Sequence, residues 1–130
     1  MTIQWYPGHM AKARRMLRAE LKIVDGILEV ADARLPLSSR NPDLQELSPK
    51  PRFLVLGKID LADAAATEKW VNYWARRGET VISADLIKGT GLRELRGAVR
   101  DRFTHLKRPA RLVVVGIPNV GKSTLINRLT

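Results

Sequence analysis

The chain has no cysteine, which excludes a disulfide framework and a thiolate metal site and suits, without requiring, a cytoplasmic setting. It also lacks any stretch near the roughly 18 continuous apolar residues that a membrane span needs, and its N-terminus has no signal-peptide apolar core. The expectation is therefore a cytoplasmic protein with no membrane partner. No internal repeat or low-complexity segment is visible. Acidic residues are in short supply, 13 against 23 lysines and arginines, for a net charge of +10. What remains, 130 residues of which 45% are hydrophobic, is enough for one domain with a real core, or for part of one.

The positive charge is clustered. Residues 1–22 carry Lys12, Arg14, Arg15, Arg18 and Lys22 against Glu20 alone. Residues 93–111 carry Arg93, Arg96, Arg100, Arg102, Lys107, Arg108 and Arg111 against Glu94 and Asp101. A basic helix face is usually just solvated, but clustering at two places favours a polyanion, and nucleic acid is the commonest one in a cytoplasm.

The rest is organised around the end of the chain. Gly116-Ile117-Pro118-Asn119-Val120-Gly121-Lys122-Ser123-Thr124 fits GxxxxGK[ST], the phosphate loop, between the apolar run Leu112–Val115 and a helical pattern carrying Leu125, Ile126 and Leu129. Glycines at both ends let the backbone curl so that successive N–H groups and the following helix N-terminus aim at one anion. The residues cradling it would be Asn119, Val120, Gly121, Lys122, Ser123 and Thr124. Lys122 would reach the terminal phosphates, and the Ser123 hydroxyl is placed for a Mg2+ bridging them.

Upstream, Met1–Met10 reads as a non-helical arm with a Pro-Gly turn, and Met10, Ala13, Leu17, Leu21 and Val24 form the apolar stripe of a helix. Strands are expected at Ile27–Ala31, Phe53–Leu56, Thr80–Ala84 and Leu112–Val115. Between them fall a short helix from Asn41-Pro42, a helix capped by Thr67 and stopped by Gly78, and a basic helix over about Leu92–Leu106. Trp70 and Trp74, four apart, take core spacing. Strands alternating with helices imply an α/β fold with a parallel sheet. Three segments follow: 1–26, arm and basic helix; 27–108, a base-recognition half; and 109–130, the phosphate-loop strand and the start of its helix.

In such sheets ligands sit outside the carboxyl ends of the strands. Gly57-Lys58-Ile59-Asp60 resembles the Asn-Lys-x-Asp guanine motif of GTPases, and Ser83-Ala84 resembles the loop that meets the same base. A carboxylate such as Asp60 can accept two parallel hydrogen bonds from guanine N1–H and N2–H2, which adenine cannot offer. The Lys58 stem can lie across the base.

The phosphate loop, which usually comes first, here follows the base motif and the Ser-Ala loop, as in a circularly permuted P-loop GTPase cut short after its phosphate loop. Within that group, Trp5-Tyr6-Pro7-Gly8-His9-Met10, Asp32-Ala33-Arg34 with Pro36, Ser38-Ser39-Arg40-Asn41-Pro42, and residues 116–127 closely resemble the bacterial ribosome-biogenesis GTPase A family, with a mitochondrial relative as the close variant. The resemblance implies GTP/GDP and Mg2+ as ligands, hydrolysis late in large-subunit assembly, and binding to rRNA and precursor particles. It also gives His9 a part in hydrolysis and associates Asn119 with a K+ ion. Gly57 departs from the family's Asn, so weaker nucleotide binding is expected. The alternative reading is a non-catalytic guanine-nucleotide or rRNA-binding piece without the switch motifs, with an adenine-nucleotide kinase a distant third. With the strand of the Asp-x-x-Gly motif beyond Thr130, Leu112–Val115 is expected to be a sheet edge open to edge-to-edge self-association.

Overall fold

A computed structural model of the chain describes the backbone of residues 2–7 and residues 15, 18–40, 50–116 and 125. Five strands, β1 (Thr2–Pro7), β2 (Gly26–Asp32), β3 (Arg52–Gly57), β4 (Thr80–Ser83) and β5 (Arg111–Gly116), form one sheet in the order β1-β5-β2-β3-β4. Every pairing is parallel. The phosphate-loop strand β5 therefore lies inside the sheet, beside β2 and separated from β4 by β2 and β3, as the permuted reading requires.

β2, β3 and β5 are largely apolar because both faces of the sheet are covered, and alternate residues serve opposite faces. On one face Leu28, Val30, Phe53, Val55, Leu112 and Val114 pack with Leu92, Leu95 and Val99 of helix α2 (Leu92–Arg102). On the other, Leu54 and Leu56 pack with Trp74 of helix α1 (Ala64–Arg76), with Trp70 alongside. The tryptophan rings lie 4.9 Å apart, so their four-residue spacing does mark core. Leu21 and Val24 close the same face over β5 by packing on Ile27, Val113 and Val115. The other members of their stripe, Met10, Ala13 and Leu17, and the helix expected from Asn41-Pro42, lie outside the described residues.

Three expectations are corrected. The arm is extended as a fifth strand, β1, which pairs with β5 from Thr2↔Arg111 to Pro7↔Gly116. Leu112–Val115 consequently has a strand on each side and offers no free edge, which removes the basis for self-association through it. Helix α1 is capped by Asp63, whose carboxylate accepts from Ala65 N–H at 3.1 Å, while Thr67 lies buried within the first two turns. Helix α2 ends at Arg102 rather than near Leu106, where Phe103 leaves helical geometry and turns into the core.

Glu29, in the middle of β2 and buried, meets the guanidinium of Arg40 at 2.7 Å. The same guanidinium reaches Glu79 at 2.7 Å and sits 4.9 Å over the Trp74 ring. Burial alone would lower the pKa of Arg40, but hydrogen bonds to Glu79 and Glu29 outweigh it and the net shift is upward, so the charge is permanent. One side chain thus fastens the loop after β2 to the entry of β4.

The starts of β2 and β5 are joined by Asp25, which accepts two hydrogen bonds from Arg108 (2.8 and 2.9 Å) and one from Arg111 N–H (2.7 Å). The Arg108 hydrogen bond is the main reason the Asp25 pKa falls to about 2. A carboxylate pKa depressed by folding stabilises above the unfolded value and loses that contribution as pH falls from about 4 toward 2. Arg108 is half-exposed, so solvent screening keeps that contribution small. Urea unfolding at pH 7 should show Asp25→Asn less stable, and the gap should narrow as pH falls from about 4 toward 2; a gap unchanged by pH would refute the assignment.

Candidate functional site

Because all five strands run the same way, Pro7, Asp32, Gly57, Ser83 and Gly116 come out at one edge of the sheet. Leu56 is the register partner of Ser83, and Ala84 N–H donates to Leu56 C=O at 2.8 Å. The base-motif loop and the Ser-Ala loop therefore leave the sheet side by side. Lys58 takes a left-handed conformation (φ 59°, ψ 34°) and turns the chain into a single 3-10 turn, Ile59–Leu61, closed by Leu61 N–H on Lys58 C=O at 3.0 Å. Asp60 rides on that turn, exposed and without a hydrogen bond to any described residue. A carboxylate so displayed can accept a pair of donors from a ligand.

Ser83 is half-exposed, but the Ala84 methyl is buried under α2 and its N–H is already used. Only the Ala84 carbonyl is left to serve a ligand. The loop beyond is built on Asp85, whose carboxylate accepts from Ile87 N–H and Lys88 N–H at 3.1 Å, while its backbone bridges Thr90. It ends at Gly91, in left-handed geometry (φ 86°) as the N-cap of α2. A Cβ on Gly91 would lie 2.4 Å from the Ser83 carbonyl oxygen. Only glycine lets α2 begin this close to the Ser83-Ala84 turn.

A second constellation was visible in the sequence only as part of a resemblance. Asp32, buried at the end of β2, accepts a fork from Arg34 (Nε 3.0 and 3.2 Å, Nη2 2.7 Å) and the Arg34 N–H at 2.9 Å. Its own N–H donates to Ser39 Oγ at 2.8 Å. The Arg34 hydrogen bonds are the largest cause of the downward shift in the Asp32 pKa, and the charge of Lys58 adds to it; Asp60 in turn helps raise that of Arg34. Asp32 and Gly57 are register partners, and Ala33 N–H donates to Gly57 C=O at 2.8 Å. The turn after β2 thus braces the base-motif loop from the other side. A sequence signal existed: aspartate at a strand end followed two residues later by arginine suits a local fork.

The expected site residues His9, Asn119, Val120, Gly121, Lys122, Ser123 and Thr124 lie outside the described residues, as do the Mg2+ and K+ positions assigned to Ser123 and Asn119. On either side of that loop are Gly116, opposite Val30 and Pro7, and Leu125, helical and fully buried in the α2-side core. Among the described residues no group of three or more His, Cys, Asp or Glu side chains could hold a metal ion, and no helix is long and apolar enough to cross a membrane.

The sequence pattern of a family described as 50S ribosome-binding GTPase matches residues 111–130. The chain is 47% identical to ribosome biogenesis GTPase A of Bacillus cereus over 99% of its own length and 47% of that protein's. The solved structure of GNP-bound YlqF from T. maritima superposes with a TM-score of 0.71 at 34% identity, over 91% of this chain and 47% of that one. Over nearly its whole length the chain resembles ribosome biogenesis GTPase A, with its motifs in the order of a circularly permuted GTPase. Mitochondrial ribosome-associated GTPase 1 of Bos taurus is 40% identical over 97% of this chain and 41% of its own length. The chain therefore spans about half the length of the relatives it matches.

Gly91→Ala tests how the Ser83-Ala84 turn is held. The strained φ and the clash with a backbone oxygen should cost about 2 kcal/mol or more, seen as a lowered thermal midpoint. Gly78→Ala, also at positive φ but facing open space, should cost less; equal losses would show that the close approach at Ser83 does not matter.

Proposed function

We propose that this chain is the guanine-nucleotide-binding part of a GTPase that works on the large ribosomal subunit during its late assembly, binds rRNA in precursor particles and leaves after hydrolysis. The observation that carries the reading is the carboxyl edge. There the Gly57–Asp60 loop, the Ser83-Ala84 turn and the strand entering the phosphate loop converge in permuted order. Relatives named as ribosome biogenesis GTPases, and a similar solved chain described as GDP-bound, support it.

In this reading Asp60 selects guanine, Lys58 covers one face of the base, and the Ser83-Ala84 turn meets the same base. Lys122 and the N–H groups of Asn119–Thr124 hold the phosphates, and Ser123 holds Mg2+, which when bound neutralises phosphate charge. Phosphoryl transfer to water needs little covalent help, so positioning and electrostatics dominate. His9, two residues past the Pro7 that pairs with Gly116, orients the water, and Asn119 holds K+. Gly57 has no side chain to tie the base loop to the phosphate loop, so nucleotide affinity should be lower than with Asn there; the alternative is a guanine-nucleotide or rRNA-binding piece without turnover.

Binding titrations decide the first part. GDP should bind far more tightly than ADP, and Asp60→Asn should lose GDP affinity while gaining xanthosine diphosphate, whose C2 carbonyl accepts from the new amide. Equal affinity for ADP and GDP in the unmutated chain would sink the reading. Hydrolysis is tested in the full-length protein: His9→Ala should reduce turnover about a hundredfold with GDP affinity unchanged, and unaltered turnover would remove His9 from the mechanism.

A further inference from the structure

The edge opposite the nucleotide residues carries a chemistry of its own. Every strand begins there and both helices end there, and the residues that enter it are basic: Lys50 and Arg52 before and at the start of β3, Arg102 at the end of α2, Lys107 and Arg108 in the next loop, and Arg111 opening β5. The acids at this edge are mostly committed. Asp25 is held by Arg108, and Glu79 by Arg40. Asp101, exposed, stands 3.8 Å from Arg100.

Part of this has a local explanation, since basic residues in the last turn of a helix offset its dipole, which accounts for Arg100 and Arg102. It does not account for Arg52, Lys107 or Arg111, which lie on strands and a loop. Arg52 adds an independent observation. Its Nη1 is buried without a hydrogen-bond partner, and a buried guanidinium N–H without an acceptor is costly. The side chain lines an open groove of about 510 Å3 whose other walls include Thr80, Arg102 and Asp101. At about 30 Å3 per water, that volume has room for a hydrated phosphate group.

We infer that this groove takes a phosphate of an RNA backbone, with Arg52 and Arg102 on either side of it and Lys107 and Arg111 tracking the neighbouring phosphates. The inference rests on the proposed work on ribosomal particles and adds where the RNA lies. RNA and nucleotide would occupy opposite edges of one sheet, so neither blocks the other. Asp101 limits affinity for an isolated anion, and several phosphates in register are needed to overcome it.

Binding of purified large-subunit ribosomal RNA to the full-length protein, measured across a salt series, tests this. Arg52→Gln combined with Lys107→Gln should weaken binding by about tenfold or more and reduce the slope of log affinity against log salt by about 1.4, two contacts at about 0.7 each for single strands. Lys107→Gln alone, in an exposed loop, should reduce it by about 0.7 and guards against a folding defect at Arg52. Lys88→Gln, the same charge change at the nucleotide edge, should leave affinity and slope as they were. Unchanged RNA binding in the double variant, or an equal loss in Lys88→Gln, overturns the inference. Protection of Arg52 from guanidinium-modifying reagents by inorganic phosphate, without RNA-dependent protection, overturns it too. Failure of the unmutated protein to bind RNA at low salt would remove both this surface and the RNA part of the proposed function, leaving the guanine titration to judge the rest.

Discussion

One constraint shapes this molecule: all five strands are parallel and the central ones are buried on both faces. A parallel strand cannot be followed by a hairpin, so each connection must cross a face of the sheet and return to the same starting edge. Helices α1 and α2 are two of these crossings. Their apolar sides satisfy the sheet, and the connections leave strand ends gathered at one edge and strand starts at the other. The separation of a loop-built, ligand-facing edge from a basic edge is a result of that direction rule.

A sheet buried this way tolerates charge only where a counter-charge is built in. Glu29 is the case in point. It interrupts the apolar run of β2 and is matched by Arg40, which also takes Glu79 and stacks on Trp74. Pairs of this kind add little net stability compared with a hydrophobic replacement, but removing one partner is costly. Its consequence is geometric: the segment from Ala33 to Arg40 is tied at its far end to the entry of β4, and at its near end to the base-motif loop through Ala33 N–H and the Asp32–Arg34 fork.

Much of this was legible in the residues. Four strands announced themselves as short apolar runs, to within one or two residues at each end: β2, β3 and β5 because they are covered on both faces, and the outer strand β4 through Val81 and Ile82. The tryptophan spacing and the order of the ligand-facing loops were equally plain. What escaped depended on distant partners. Thr2–Pro7 alternates only over Thr2-Ile3-Gln4-Trp5, too short a pattern to stand out, and its extension comes from pairing with β5, about a hundred residues away. Asp63 and Thr67 are both good caps, and local pattern could not choose between them; the choice fell to Asp63 once Thr67 was needed inside the helix against the core. The cation that Glu29 needs became visible only once the folded loop brought Arg40 to it.

The pairing of β1 with β5 also bears on the order of folding. Thr2 meets Arg111 and Pro7 meets Gly116, contacts separated by roughly a hundred residues, and such non-local closure is slow because its entropy is lost before any contact forms. During synthesis β2, β3 and β4 can associate with helix α1 as soon as they emerge, whereas Thr2–Pro7 must wait until Arg111–Gly116 has been made. Among the five described strands, β1 and β5 are thus the last to pair. Until then the two flanks of β5 mature at different times, with β2 already in place on one and the other closing only when the chain's beginning returns to it.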